Sequence, residues 1–127
     1  MDSKRVSESL GISYGQLNYL LRKINGLTPH KWGASQGRAR VYTCHDLTRL
    51  RLALLLKNDG YSTKAIQKAV NELNKNWNGK TPDSAGVLFS MPDNAFMWTK
   101  EGDTLEYVPN LTYNVRKVAG EVYDKTP

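Results

Sequence analysis

Apolar residues recur along this chain in two rhythms, every third or fourth position as far as residue 76 and in short alternating runs beyond it. Leu17, Leu20, Leu21 and Ile24 stand at i, i+3, i+4 and i+7, which gathers them on one side of a helix. Val6 and Leu10 lie one turn apart and predict a shorter helix before it. Between the two, Gly11 can take the positive φ that ends a helix, Ile12 turns inward and Ser13 offers a cap oxygen. The stretch SESLGISYGQLNYLLRKI therefore reads as a helix-turn-helix. At about 100° per residue, Gly15, Tyr19, Arg22 and Lys23 project from the side opposite the stripe, with Gln16 and Asn18 on its flanks.

Asn25-Gly26 closes this helix, and Leu27-Thr28-Pro29 begins an extended stretch. From His30 to Tyr42 the chain is rich in Gly, Ser and Arg, with Val41 and Tyr42 forming a strand-like end, the pattern of a hairpin loop. Locally GASQGRARVY fits a catalytic loop, a solvated linker or a strip lying along nucleic acid equally well. Thr43 and Asp46 have capping-box spacing, with Asp in place of the usual Glu. Leu47, Leu50, Ala53, Leu54 and Lys57 continue that helix, and Leu52, Leu55 and Leu56 widen its apolar face, so it is central or touches a second body. Asn58-Asp59-Gly60 ends it, and Ser62 caps another helix whose stripe is Ala65, Ile66, Ala69, Val70 and Leu73.

Beyond Asn76 the composition turns to NWNGKTPDSAG, so a boundary is expected there: a helical unit over 1–76, a linker over 77–85 and a small β-rich region over 86–127. In that region GVLFSM, AFMWT and TLEYV read as an antiparallel meander, with Phe96 and Trp98 on one face and Leu105 and Tyr107 on another. Val115, Val118, Ala119 and Val122 predict a final short helix.

Charge adds the first hint of a partner. Residues 1–76 hold thirteen Lys/Arg and five Asp/Glu, whereas residues 77–127 hold five and seven. No acid occurs between Glu8 and Asp46, a gap that contains Arg22, Lys23, Lys31, Arg38 and Arg40. A solvated surface ordinarily mixes signs, so an acid-free stretch points to an anionic partner, nucleic acid before a membrane surface. The chain's 127 residues, 39% hydrophobic, suit one principal globular unit and offer no run of the ~18 apolar residues a membrane span needs. MDSKRVSESLG lacks a signal peptide's apolar segment, so a cytoplasmic location is expected. The single cysteine, Cys44, can form neither an internal disulfide nor a thiolate cluster, and it is read as passive despite its place in a helix's first turn. His30 and His45 read as solvated or phosphate-adjacent, and Trp77, Phe89, Phe96, Trp98 and Tyr107 as core rather than a ligand cage. For Trp32, packing and DNA contact stay open.

From about Val6 to Val70 the chain resembles the DNA-binding domain of the MerR family. The resemblance rests on SESLGISYGQLNYL, the Gly26-Leu27-Thr28-Pro29 exit, Arg40-Val41-Tyr42, the capped Thr43-Cys44-His45-Asp46-Leu47 and Gly60-Tyr61-Ser62 leading to Ile66. It implies a mainly α, winged helix-turn-helix fold of four helices plus a β-hairpin wing, followed by a small β-meander and short-helix appendage. Double-stranded DNA is the implied partner. The contact set would be Ser13, Tyr14, Gly15, Gln16, Asn18, Tyr19, Arg22, Lys23, Lys31, Arg38, Arg40, Tyr42, Tyr61, Ser62 and Lys64. Gln16 and Asn18 would read adenine bidentately, Arg22 guanine or phosphate, and Arg38 and Arg40 on the wing phosphate or the minor groove. Tyr42 would also pack the wing's base against the core.

Two departures shape the expected function. The family's long dimerising helix is missing, which makes the C-terminal region the expected homodimer contact. No cysteine cluster stands where metal-sensing members hold their ligands, and no cofactor is expected. A sequence-specific regulator of transcription acting as a dimer is the leading reading, and an excisionase-type architectural protein that bends DNA cooperatively is the alternative. RNA polymerase or a recombinase is a possible protein partner. An enzyme is not expected, because no nucleophile is paired with a base and no phosphate loop of the GxxxxGK type occurs. If the C-terminal part binds a partner, loss of residues 80–127 is expected to spare DNA contact and abolish regulation.

Overall fold

A computed structural model describes residues 3–27, 31–32, 40–77, 85–91, 95–99 and 112–125. Most of each helical stripe read above lies in the core, whereas Leu10, Leu54 and Val118 are half-buried and Leu55 and Lys57 are exposed. Helix α1 (Ser3–Leu10) ends where the Ile12 and Gly11 amides donate to Ser7 and Glu8 carbonyls, with Gly11 at φ +70°. Only a residue that tolerates the left-handed region can close this Schellman turn cheaply. Helix α2 (Tyr14–Lys23) follows at once and buries Leu17, Leu20 and Leu21.

Strands β1 (Lys31–Trp32) and β2 (Arg40–Val41) pair antiparallel, Lys31 opposite Val41 and Trp32 opposite Arg40. The expected hairpin is thus present at its base, while its tip at 33–39, including Arg38, lies outside the described residues. Helix α3 (Cys44–Asn58) has the capping box at Thr43 and Asp46. It buries Asp46 through Leu50 without a break and then Leu52, Ala53 and Leu56, because α4 covers one side of it and the C-terminal helix another. Its end is a second Schellman turn, with Gly60 at φ +93° and the Tyr61 amide donating to the Leu56 carbonyl. Helix α4 (Thr63–Asn76) buries Ala65, Ile66, Ala69, Val70 and Leu73, each residue of the expected stripe.

In the C-terminal part, strands β3 (Val87–Met91), β4 (Ala95–Thr99) and β5 (Thr112–Asn114) form, among the described residues, an antiparallel sheet ordered β4-β3-β5, with β3 paired to both neighbours. TLEYV, with Leu105 and Tyr107, lies outside the described residues, and the third described strand comes later than that run. Tyr113 alternates inward on β5 and is buried, which is what holds this short segment to the sheet's far side. Asn114 then accepts the Lys117 amide at 3.0 Å and so caps helix α5 (Val115–Lys125).

These C-terminal elements share the core of the helical part. Strand β4 packs on α4, α5 packs on α3, and Leu88, Phe96, Tyr113, Val115, Ala119 and Val122 join one buried cluster with Leu50, Leu52, Leu56 and Leu73. Trp77 and Ala85, at the two ends of the turn-rich stretch, are both buried.

Candidate nucleic-acid interface

The outer side of α2 is set by its first turn. Ser13 Oγ accepts the Gln16 amide at 3.1 Å, and Gln16 Oε1 accepts the Ser13 amide at 2.9 Å. This reciprocal pair starts the helix in one register and leaves Tyr14, Gly15, Tyr19, Arg22 and Lys23 exposed, with Asn18 half-buried. The bond also occupies the amide oxygen with which Gln16 was expected to read adenine. A bidentate contact would have to share or open the cap. Gly15 is open to solvent, a Cβ there meeting only Ser13 Oγ at 3.8 Å.

The end of α2 is tied down from a distance. Gln67 on α4 accepts the Asn25 amide at 2.7 Å through Oε1 and donates to the Asn25 carbonyl at 2.9 Å through Nε2. Asn74, two turns further along α4, donates to the Gly26 carbonyl at 3.4 Å. The helix that would enter a groove is therefore capped at one end and clamped to the core at the other.

A second cation site emerges on α3. Tyr19, 40% exposed, has Lys23 Nζ at 5.9 Å and Lys57 Nζ at 5.5 Å from its ring centre, within cation–π range. Lys57 was read from the sequence only as a continuation of its helix. Its signal was position, since a Lys in the last turn before Gly60 must stand beside the turn into α4. A hollow of about 280 Å³ lies between α2 and that turn, lined by Tyr19, Lys23, Lys57, Tyr61, Ser62 and Thr63 over a floor of Leu20, Ile24 and Ile66. A neighbouring hollow of about 440 Å³ brings Gln16 beside Arg51 and Lys57, and neither hollow is lined by Asp or Glu. Ser62 Oγ accepts the Ala65 amide at 3.2 Å, and Lys64 is exposed in the same first turn.

The expected site residues thus divide. Tyr19, Lys23, Tyr61 and Ser62 converge on one hollow, and Ser13, Tyr14, Gly15, Gln16, Asn18 and Arg22 belong to the same helix start and outer face. Lys31 and Arg40 stand at the base of the hairpin, placed by their backbones. Tyr42 is corrected from contact to support: it is 3% exposed and its hydroxyl lies 3.1 Å from Ser3 Oγ on α1. Tyr61 is shared, since its ring also lies 5.7 Å from Phe96 and 6.2 Å from Tyr113. Burial, then hydrogen bonds to Asp59 and Tyr61, hold the Tyr113 phenol above its ordinary pKa of 10.0, so it stays a donor.

Among the described residues no group of three or more His, Cys, Asp or Glu is placed to hold a metal ion, and no helix is long and apolar enough to cross a membrane. The family model of MerR helix-turn-helix regulatory proteins matches residues 1–73. No curated protein and no solved structure matches the chain.

Proposed function

From the premise that the chain belongs to the MerR helix-turn-helix family of DNA-binding transcription regulators, we propose that it recognises a specific double-stranded site as a homodimer and acts by binding rather than by catalysis. The supporting observation is the Tyr19 patch, an exposed phenol between Lys23 and Lys57 beside an acid-free hollow that Ser62 completes. In this reading α2 lies in the major groove, where Asn18 and Tyr19 approach bases and Arg22 and Lys23 meet flanking phosphates. The first turn of α4 offers backbone amides and Lys64 to the next phosphates, and Arg38 and Arg40 of the hairpin hold the backbone or the minor groove. One such module reads few base pairs and buries too little surface for tight discrimination. Pairing of two copies through residues 86–127 supplies the rest.

One observation favours a second reading. Helix α5 packs along α3 and shares its core, so it is not itself free as a projecting dimer arm, a plan suited to an architectural protein whose copies line up head to tail. A footprint on DNA selected from a randomised pool separates the two: a single palindromic site supports the regulator, and direct repeats with a growing footprint support the architectural protein. The same selected duplex tests the division of roles. Replacing Arg38 and Arg40 with Ala should weaken binding to every sequence and reduce the salt slope by about 0.9 per lost phosphate contact. Asn18→Ala should instead relax preference at one base pair by ~1–3 kcal/mol. Identical effects of the two changes would refute that division.

A further inference from the structure

The α3–α4 turn carries Ser62 and Lys57 to the DNA-facing hollow, and a residue from the far end of the chain holds it. Tyr113 on β5 donates its hydroxyl to Asp59 Oδ2 at 2.6 Å. Asp59 is the C-cap of α3, the residue whose conformation hands the chain on to Gly60. Tyr61, next in the turn, packs its ring on Tyr113 and Phe96 from the C-terminal sheet while lining the hollow with Tyr19, Lys57 and Ser62. The contacts form an unbroken series from β5 through the turn to the basic face, across 54 residues of sequence between Asp59 and Tyr113.

We propose that Tyr113 is a positioning residue for DNA binding: through Asp59 and Tyr61 it lets the C-terminal sheet set the orientation of the α3–α4 turn, and with it the phosphate contacts of Ser62, Lys57 and Lys64. The proposal rests on the DNA-binding reading above. It makes the sheet part of the recognition surface's support, so that whatever deforms the sheet changes affinity for DNA. The fixed geometry is short-range and specific. Asp59 is exposed, and its carboxylate is held by the phenol rather than left to rotate.

Tyr113→Phe keeps the ring and removes the hydroxyl, so the fold is retained. In the free protein, the Gly60 and Tyr61 amides should exchange with solvent about threefold to tenfold faster, the range one hydrogen bond carries. Affinity for a duplex selected by the wild-type protein should fall by a similar factor, at a temperature where both proteins are fully folded by circular dichroism. In a double-mutant cycle the loss should be non-additive with Lys64→Ala and additive with Arg38→Ala on the wing, a pattern that a purely structural role does not produce. Unchanged exchange at the turn, or additivity with Lys64→Ala, overturns the proposal while leaving DNA binding intact. Failure of the wild-type protein to select any duplex overturns the DNA reading itself, and the proposal with it.

Discussion

Asp46 shows how much one side chain can carry. Its Oδ2 accepts the Thr43 amide at 2.8 Å, and its Oδ1 pairs with Arg49, both residues being almost fully buried. Arg49 in turn reaches Asn74 Oδ1 at 3.5 Å, next to the amide that holds Gly26. The two feet of the hairpin, Gly26 before it and Thr43 after it, are thus joined through a buried charge pair. Removing one partner of such a pair leaves an uncompensated charge in the core. Asp46→Ala should therefore cost about 3–5 kcal/mol of stability, including the lost cap, as measured by urea denaturation. Half of this was legible, because Thr43-x-x-Asp46 is a local pattern. The Arg49 half was not, since an arginine in a leucine-rich helix reads as surface until the elements around it are known.

At the scale of elements, the three N-caps at Ser13, Thr43 and Ser62 and the three glycine exits at 11, 26 and 60 stand where the sequence places them. Caps and stops depend on residues within one turn of each other, which is why pattern alone finds them. The clamp on the end of α2 escaped that reading, because Gln67 and Asn74 meet Asn25 and Gly26 across 42 and 48 residues with no periodic signal. Gly26 sits where both kinds of constraint meet, at φ +91° with a Cβ position 2.6 Å from Asn74 Nδ2. Gly26→Ala should lower stability by ~1–2 kcal/mol from the left-handed backbone alone, with more from displacing Asn74, and should lower the thermal midpoint accordingly.

Across the whole molecule, the basic half and the acidic half divide by sequence but not by packing. The expectation that, if the C-terminal part binds a partner, loss of residues 80–127 spares DNA contact treated them as an appendage. The structure packs α5 on α3 and β4 on α4 within one buried cluster. A chain ending after Trp77 would expose the α3 and α4 surfaces that these elements cover, and it should lose cooperative unfolding in calorimetry together with DNA affinity. A truncated chain that melts cooperatively and binds the selected duplex with full strength would show that the helical part stands alone. The composition shift at Asn76 was legible, yet composition reports only the nature of the connecting stretch and not which faces it brings together.

The burial of Trp77 bears on how such a regulator can be re-engineered. Its indole lies 4.7 Å from the His45 ring and 6.5 Å from Tyr123 of α5, so the apparent seam between the halves is itself interior. A chimera spliced there to give the protein a foreign sensor would inherit half of an aromatic nest and a bare hydrophobic wall.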